Sequence, residues 1–242
     1  MIEHLHRKLK CLRNTPLHPQ WLLGSSKPTR EWVVQNVSAG YVLDIGCADR
    51  WIEKYLPKEC KYIGFDYPAT GRDLYGAKPD VFGDAASLPF ADNSMDTVVL
   101  LEVLEHVRHP EKTLSEIERV LKPGGILLLS MPFLYPVHDA PYDFQRYTCH
   151  GLAREIEVAG MYLEQIDHSL DNIRSAGLLL SLALGGAARE SLRQKKPSVI
   201  LLPLLLFMIP VINMICWLLS KIMPEWSALT AGYRLKAKKH AV

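Results

Sequence analysis

The sequence predicts a doubly wound α/β domain built on a mostly parallel sheet, and two observations carry that prediction. Apolar runs of strand length alternate with helical patterns through the first two thirds of the chain. The runs are apolar on nearly every residue rather than on alternate ones, which is what strands covered on both faces require. A chain of 242 residues is long enough to bury such a core without disulfides.

The elements follow in order. Strands are expected at "YVLDI" (41–45), "KYIGFD" (61–66), "DVFGD" (80–84), "DTVVLL" (96–101) and "ILLLSM" (126–131), with a sixth near "YLEQIDHS" (162–169) and a last in "TAGYRLKAKK" (230–239). The clearest helix is 110–121, where Leu114, Ile117, Val120 and Leu121 share one face and "KPGG" ends it. A second runs from Thr148, an N-cap residue, to Gly160. The final third changes character: "AGLLLSLALGGA" leads to a charged break, "RESLRQKKPS", and then to the apolar run Val199 to Leu219. The expected divisions are therefore an N-terminal segment (1–27), an α/β core (28–170), an apolar helical insert (171–228) and the last strand with its basic tail (229–242).

Bulk composition excludes some classes. A formal charge of +2 gives no field that argues for nucleic acid. The five cysteines, Cys11, Cys47, Cys60, Cys149 and Cys216, form no CxxC pair and have no His close enough in sequence to suggest zinc. They predict a reducing compartment and no metal site. "MIEHLHRKLKCLRNTPLHPQ" lacks the apolar run of a secretory signal, so a cytoplasmic location is expected.

In an open α/β sheet the ligand lies beyond the carboxyl ends of the strands. Asp44, Asp66 and Asp84 fall at the ends of the first three expected strands, so they ring one crevice. An anionic ring is hostile to a pyrophosphate and suits a ligand with a cationic amine and free hydroxyls. Asp66 stands about 20 residues beyond the first turn, the spacing at which a carboxylate accepts from a ribose diol. S-adenosylmethionine has that chemistry: an amino-acid head, a ribose, an adenine and no phosphate. A Rossmann dinucleotide enzyme would need glycines where Ala48 and Arg50 stand.

Four motifs in order, "DIGC", "GDAASLPFADNSMD", "LLEVLEHV" and "EIERVLKPGGILLLSMP", resemble those of class I S-adenosylmethionine-dependent methyltransferases of the type 11 group. The resemblance covers roughly residues 30 to 165 and the last strand. It implies a Rossmann-like, seven-stranded sheet whose last strand inserts antiparallel beside strands five and six. It also implies that Asp44, Gly46, Cys47 and Ala48 line the methionine end, Asp66 the ribose, Asp84 and Ala85 the adenine, and Glu102 the entrance to the transfer site. Ala48 departs from the pattern, which more often has a second glycine there. Alanine is small enough for close backbone approach to survive.

The segment "MPFLYPVHDAPYDFQRYTCHGL" follows strand five and is dense in ionisable and aromatic residues. His138, Asp139, Tyr142, Asp143, Arg146 and Tyr147 are candidates for the acceptor pocket. His138 alone among them has an ordinary pKa near neutrality and is the expected base, with Arg146 and Tyr142 beside it. In the alternative, Asp143 and Arg146 form a structural ion pair and Tyr147 packs in the core. His106 reads as a supporting histidine rather than a base. The segment resembles an "H-x-x-P-Y-D-F-x-R-Y-T" stretch of bacterial methyltransferases associated with surface-glycan synthesis.

Val199 to Leu219 is as long as a bilayer crossing, for which about 20 residues suffice. A full span would strand the last β-strand on the wrong side, and Pro203 and Pro210 each favour a bend. An interfacial or re-entrant insert at the inner membrane face is therefore expected, with Arg189, Arg193, Lys195, Lys196, Lys236, Lys238 and Lys239 toward anionic headgroups. A homodimer interface is the alternative use of the same surface. Ile2, Leu5, Leu9 and Leu12 share a helical face, which suits a membrane surface or a cap over the pocket. The expected function is methyl transfer from S-adenosylmethionine to a small or lipid-linked acceptor, a saccharide or an isoprenoid. The alternatives are a soluble dimeric small-molecule methyltransferase and a non-catalytic cofactor-binding scaffold.

Overall fold

The computed structural model describes residues 12–72 and 76–241. The amphipathic helix expected at the N-terminus lies outside the described residues except for Leu12 and Arg13. The chain divides into two compact units: an α/β unit from Lys27–Phe133, Val137–Asp167 and Gly232–Val242, and a helical unit from Met1–Ser26, Leu134–Pro136 and His168–Ala231.

The α/β unit holds a seven-stranded sheet. Its strands are β1 (Gly40–Ile45), β2 (Cys60–Asp66), β3 (Val81–Phe82), β4 (Met95–Leu101), β5 (Leu121–Pro132), β6 (Met161–His168) and β7 (Gly232–Lys239), in the order β3-β2-β1-β4-β5-β7-β6. The pairs β1–β2, β1–β4, β2–β3 and β4–β5 are parallel, and β5–β7 is antiparallel. The expected fold is therefore present, including the antiparallel seventh strand between β5 and β6. Strand order reverses between β1 and β4, which opens the ligand crevice at their carboxyl ends.

Adjacent residues within a strand point to opposite faces, and here both faces are buried. Leu43, Val98 and Leu127 pack in one core with Leu114, Ile117 and Val120 of α2 (Pro110–Val120) and Leu152 and Ile156 of α3 (Cys149–Val158). Their neighbours Val42, Val99 and Leu128 pack in a second core with Trp32 and Val33 of α1 (Lys27–Asn36). Thr148 caps α3 by accepting from the Gly151 backbone N–H at 3.1 Å, as the sequence suggests. Helix α1 is not announced by the sequence pattern because only two of its residues are buried, too narrow a stripe to read as amphipathic.

Two boundaries differ from expectation. β5 begins at Leu121, which pairs with Met95, while Thr97 pairs with Ile126, so "KPGG" loops out as a bulge inside a strand rather than joining helix to strand. The bulge is held by Lys122, whose Nζ lies 2.7 Å from the Asp96 carboxylate. β3 is only Val81–Phe82, because the flanking Asp80 carboxylate takes the Gly64 backbone N–H at 2.8 Å, a bond made across the sheet by a side chain.

In the helical unit α4 (Asn172–Arg193) is one continuous helix, capped by Asp171 accepting from the Arg174 backbone N–H at 2.9 Å. "RESLR", read from sequence as part of a charged break, stays helical because Arg193 and Gln194 both reach back to the Glu190 carboxylate. A 3-10 turn (Pro197–Leu201) then leads into α5 (Leu202–Leu219). Pro203 occupies the first turn of α5, where the N–H it lacks would have had no helical partner. Only Pro210 stands inside the helix. α4 and α5 meet around Gly177, where a β-carbon would come within 2.5 Å of the Cys216 sulfur. The buried Asn213 amide accepts from Ser181 Oγ at 2.9 Å and donates to the Pro16 and His18 carbonyls at 2.7 and 3.0 Å.

Candidate active site

The first turn is shaped by its backbone. Gly46 has φ 75, and a β-carbon there would lie 2.3 Å from Val103 Cγ2, so glycine is required. The N–H groups of Gly46 and Cys47 donate to the Phe65 carbonyl at 2.8 and 3.1 Å. Ala48 and Arg50 have φ 45 and φ 59, the left-handed conformation that a glycine-rich loop reaches without strain. Each costs about 1–2 kcal/mol relative to glycine. Arg50 offsets its share by gripping Glu53 with Nε and Nη2 at 2.9 and 3.0 Å and Asp80 at 2.9 Å. The missing glycines thus leave the turn in the same conformation, held by an arginine.

The three carboxylates differ sharply. Asp44 is 4% exposed and accepts from the Tyr62 hydroxyl at 2.6 Å. Burial pushes its carboxyl up to about 7, with Asp66 nearby adding to the rise. Burial likewise lifts the neighbouring Cys47 thiol to about 12, so it stays protonated. Asp66 is also buried and accepts from the Ala48 backbone N–H at 2.9 Å, which ties the second strand end to the first turn. Burial raises its carboxyl pKa as well. Asp84 is exposed, and its Oδ1 accepts from the Ala86 backbone N–H at 2.9 Å in a local turn, with Ala85 buried beside it. Asp44 and Asp66 accordingly offer buried oxygen acceptors without a phosphate-gripping glycine run, which fits an amino-acid head and a ribose.

Glu102 follows β4 with φ 54 and accepts from Ser130 Oγ at 2.7 Å. Solvent reaches it, yet protein surrounds the carboxyl closely enough that desolvation raises its pKa, against the pull of Ser130, His138 and Arg146.

The segment after β5 docks onto the turn after β4. The Phe144 backbone N–H donates to the Glu105 carbonyl at 2.9 Å, and the Gln145 amide bridges the carbonyls of Leu104 and Val107. His138 Nδ1 lies 3.2 Å from Asp143 Oδ2, which also accepts the His138 backbone N–H at 2.9 Å. Arg146 clamps that same carboxylate through both terminal nitrogens and holds it down at about 2. Arg146 therefore acts through Asp143 on His138, the structural ion pair that the sequence left open. Tyr142 enters through its carbonyl, which lies 2.8 Å from His106 Nδ1. Tyr147 packs partly buried against the core.

His106, read from sequence as a supporting histidine, and Glu105, which sequence reasoning passed over, join this group. The His106 ring stands edge to face with His138, centroids 4.8 Å apart. Glu105 is fully buried, and neither of its carboxylate oxygens has a hydrogen-bond partner. Burial, with Glu102 nearby, lifts it to about 9. The signal that could have found Glu105 is its adjacency to His106 inside "LEVLEHV", where the pair follows Glu102 in a stretch whose other residues are apolar.

Residues 43–129 match the family model of a methyltransferase domain. A probable S-adenosylmethionine-dependent methyltransferase of Mycolicibacterium smegmatis is 31% identical over 166 residues, covering 64% of this chain and 63% of the relative. A demethylmenaquinone methyltransferase of Renibacterium salmoninarum is 48% identical over 117 residues, covering 45% of this chain and 49% of the relative. The chain thus spans less than two thirds of the length of either. A solved S-adenosylmethionine-dependent methyltransferase from Archaeoglobus fulgidus shares the fold, with a TM-score of 0.55 at 18% identity over 89% of this chain and 95% of that one. Fold, motifs and relatives agree on the class, a Rossmann-like cofactor-binding domain. Residues 43–129 of the α/β unit are thus similar to methyltransferase domains of the type 11 group, on a sheet of Rossmann-like topology.

Proposed function

We propose that the protein transfers the methyl group of S-adenosylmethionine to an apolar or lipid-linked acceptor at the inner face of a membrane. The observation that carries this reading is the 23-residue stretch Pro197–Leu219, which holds an 18-residue window with a mean hydropathy of 2.7, only 11% of it buried in the protein. Ile200, Leu204, Phe207, Leu218 and Trp226 are each at least half exposed. A soluble enzyme would leave that surface in water at a cost of about 25 cal/mol per Å². With 23 residues divided by a 3-10 turn and a Pro inside the helix, an interfacial seat suits it better than a straight crossing. The demethylmenaquinone named for the Renibacterium relative supports an apolar acceptor.

In the cofactor pocket, Asp66 would take the ribose hydroxyls and Asp44, Gly46, Cys47 and Ala48 the methionine end, with Asp84 and Ala85 at the adenine and Glu102 at the transfer site. The bound cofactor supplies an electrophilic methyl. The chain's task is then to align the acceptor and to take its proton. His138 is the candidate for that proton. Asp143 fixes its Nδ1, so that Nε2 is the working nitrogen.

The test is flotation of the purified protein with vesicles of neutral and of anionic lipid, followed by turnover of S-adenosylmethionine with polyprenyl-linked saccharides and with quinone precursors. Flotation with anionic vesicles and turnover only with a lipid-linked acceptor support the reading. A stable dimer that ignores vesicles would replace it with the soluble enzyme. Cofactor binding without turnover on any acceptor would favour the scaffold.

A further inference from the structure

Three side chains beside the cofactor crevice converge in a way that methyl transfer alone does not require. Glu105 Oε1 lies 3.6 Å from His106 Nε2 and 3.9 Å from His138 Nε2, and the ligand atoms of all three fall within 4.8 Å of one another. The carboxylate is fully buried and has no hydrogen-bond partner. Buried polar groups are nearly always satisfied, so an orphaned carboxylate aimed between two imidazoles points to a missing partner.

The arrangement behind the imidazoles points the same way. His106 Nδ1 is 2.8 Å from the Tyr142 carbonyl and His138 Nδ1 is 3.2 Å from the Asp143 carboxylate. Each Nδ1 therefore carries the proton, and each Nε2 lies on the Glu105 side of its ring. A histidine that ligates a metal has this pattern: the second nitrogen donates to a carbonyl or carboxylate, which fixes both tautomer and ring. Asp143 is in turn locked by Arg146.

We infer that Glu105, His106 and His138 bind one divalent transition-metal cation. Two imidazoles and one carboxylate suit Zn²⁺, Co²⁺ or Fe²⁺ rather than Ca²⁺ or Mg²⁺. Ligand atoms held around a tetrahedral zinc are about 3.4 Å apart, so small ring rotations close the distances seen here. The imidazoles, at 17% and 28% side-chain exposure, leave a route for entry. Three protein ligands leave a coordination position open for an oxygen atom. In the loaded protein the His138 lone pair belongs to the ion, so the cation replaces His138 in the base role: it would lower the pKa of an acceptor hydroxyl bound there, whose proton passes to solvent water. This deepens the proposed function without resting on the identity of the acceptor. It also departs from the expectation of no metal, which weighed cysteines and sequence spacing and not imidazoles 32 positions apart.

The experiment is titration of the untagged, chelator-treated full chain with Co²⁺, read by its ligand-field absorption and by calorimetry, with Zn²⁺ as competitor. One equivalent bound and displaced by Zn²⁺ is expected. Glu105→Gln, which keeps the shape and removes the charge, is expected to weaken binding at least about 100-fold, and Asp143→Asn about 10- to 100-fold. Circular dichroism and titration with S-adenosylhomocysteine on the same samples establish that the domain is folded and binds cofactor. Folded, cofactor-binding protein that takes up no Co²⁺ overturns the inference while leaving the methyltransferase reading intact. So does Glu105→Gln binding Co²⁺ as tightly as the parent.

Discussion

The α/β unit and the helical unit spend their apolar residues in opposite ways. Leu43, Leu100, Leu127 and Leu128 in the sheet are fully buried, whereas Leu201, Leu204, Leu206 and Leu218 around α5 are half exposed. Both sets come from unbroken apolar runs of similar composition. The difference shows that hydrophobicity alone does not say what a run is packed against. In the sheet, helices on both faces remove water. In α5, Ile209, Ile212 and Asn213 are buried on one edge, and the rest of the helix stays largely uncovered by the described residues.

The strongest way to break this comparison is to remove equivalent leucines from each unit. Leu128→Ala is expected to cost about 2–5 kcal/mol, because it leaves a cavity in a sealed core. Thermal unfolding followed by circular dichroism reads it directly, and a change under about 1 kcal/mol would mean that the second core is not sealed.

A second test uses the buried acid of the cofactor turn, Asp44. Asp44 holds its proton up to about 7 in the folded state, against an ordinary value near 4 when unfolded. Its proton therefore stabilises the fold fully below about pH 4, and that contribution is lost as pH rises to 7. Stability should fall across this window by an amount on the order of a few kcal/mol. Asp44→Asn should flatten the slope while keeping the Tyr62 bond. Denaturant melts at several pH values with the same slope for both proteins would show that Asp44 ionises normally.

Smaller effects sharpen the picture. Ala48→Gly should relieve the left-handed strain and raise Tm by about 2–4 °C, for a gain near 1 kcal/mol. A lowered Tm would mean that Ala48 makes packing contacts worth more than its strain. Leu206→Ala, at a site 53% exposed, should shift stability in detergent by no more than about 0.5 kcal/mol. It should nonetheless weaken vesicle binding, and equal vesicle binding would place Leu206 off the lipid-facing surface.

Much of this was legible without coordinates. The seven strands, the caps at Thr148 and the run of acids at strand ends follow from periodicity and spacing, which are local properties. α1 was not, because two buried residues make no readable stripe. Nor was the fate of Pro203, harmless in a first turn, or of "RESLR", kept helical by its own side-chain bonds.

At the candidate site the division is sharper. The sequence by itself determined the sheet, the first turn and the identity of the cofactor class, since strand ends and the residues that follow them are fixed by chain order. Only the tertiary structure decided that Arg146 serves Asp143, that Ala48 and Arg50 hold a glycine's conformation, and that Glu105 meets His106 and His138. The last of these joins the turn after β4 to the loop after β5, and its geometry depends on parallel pairing of those two strands rather than on any spacing along the chain.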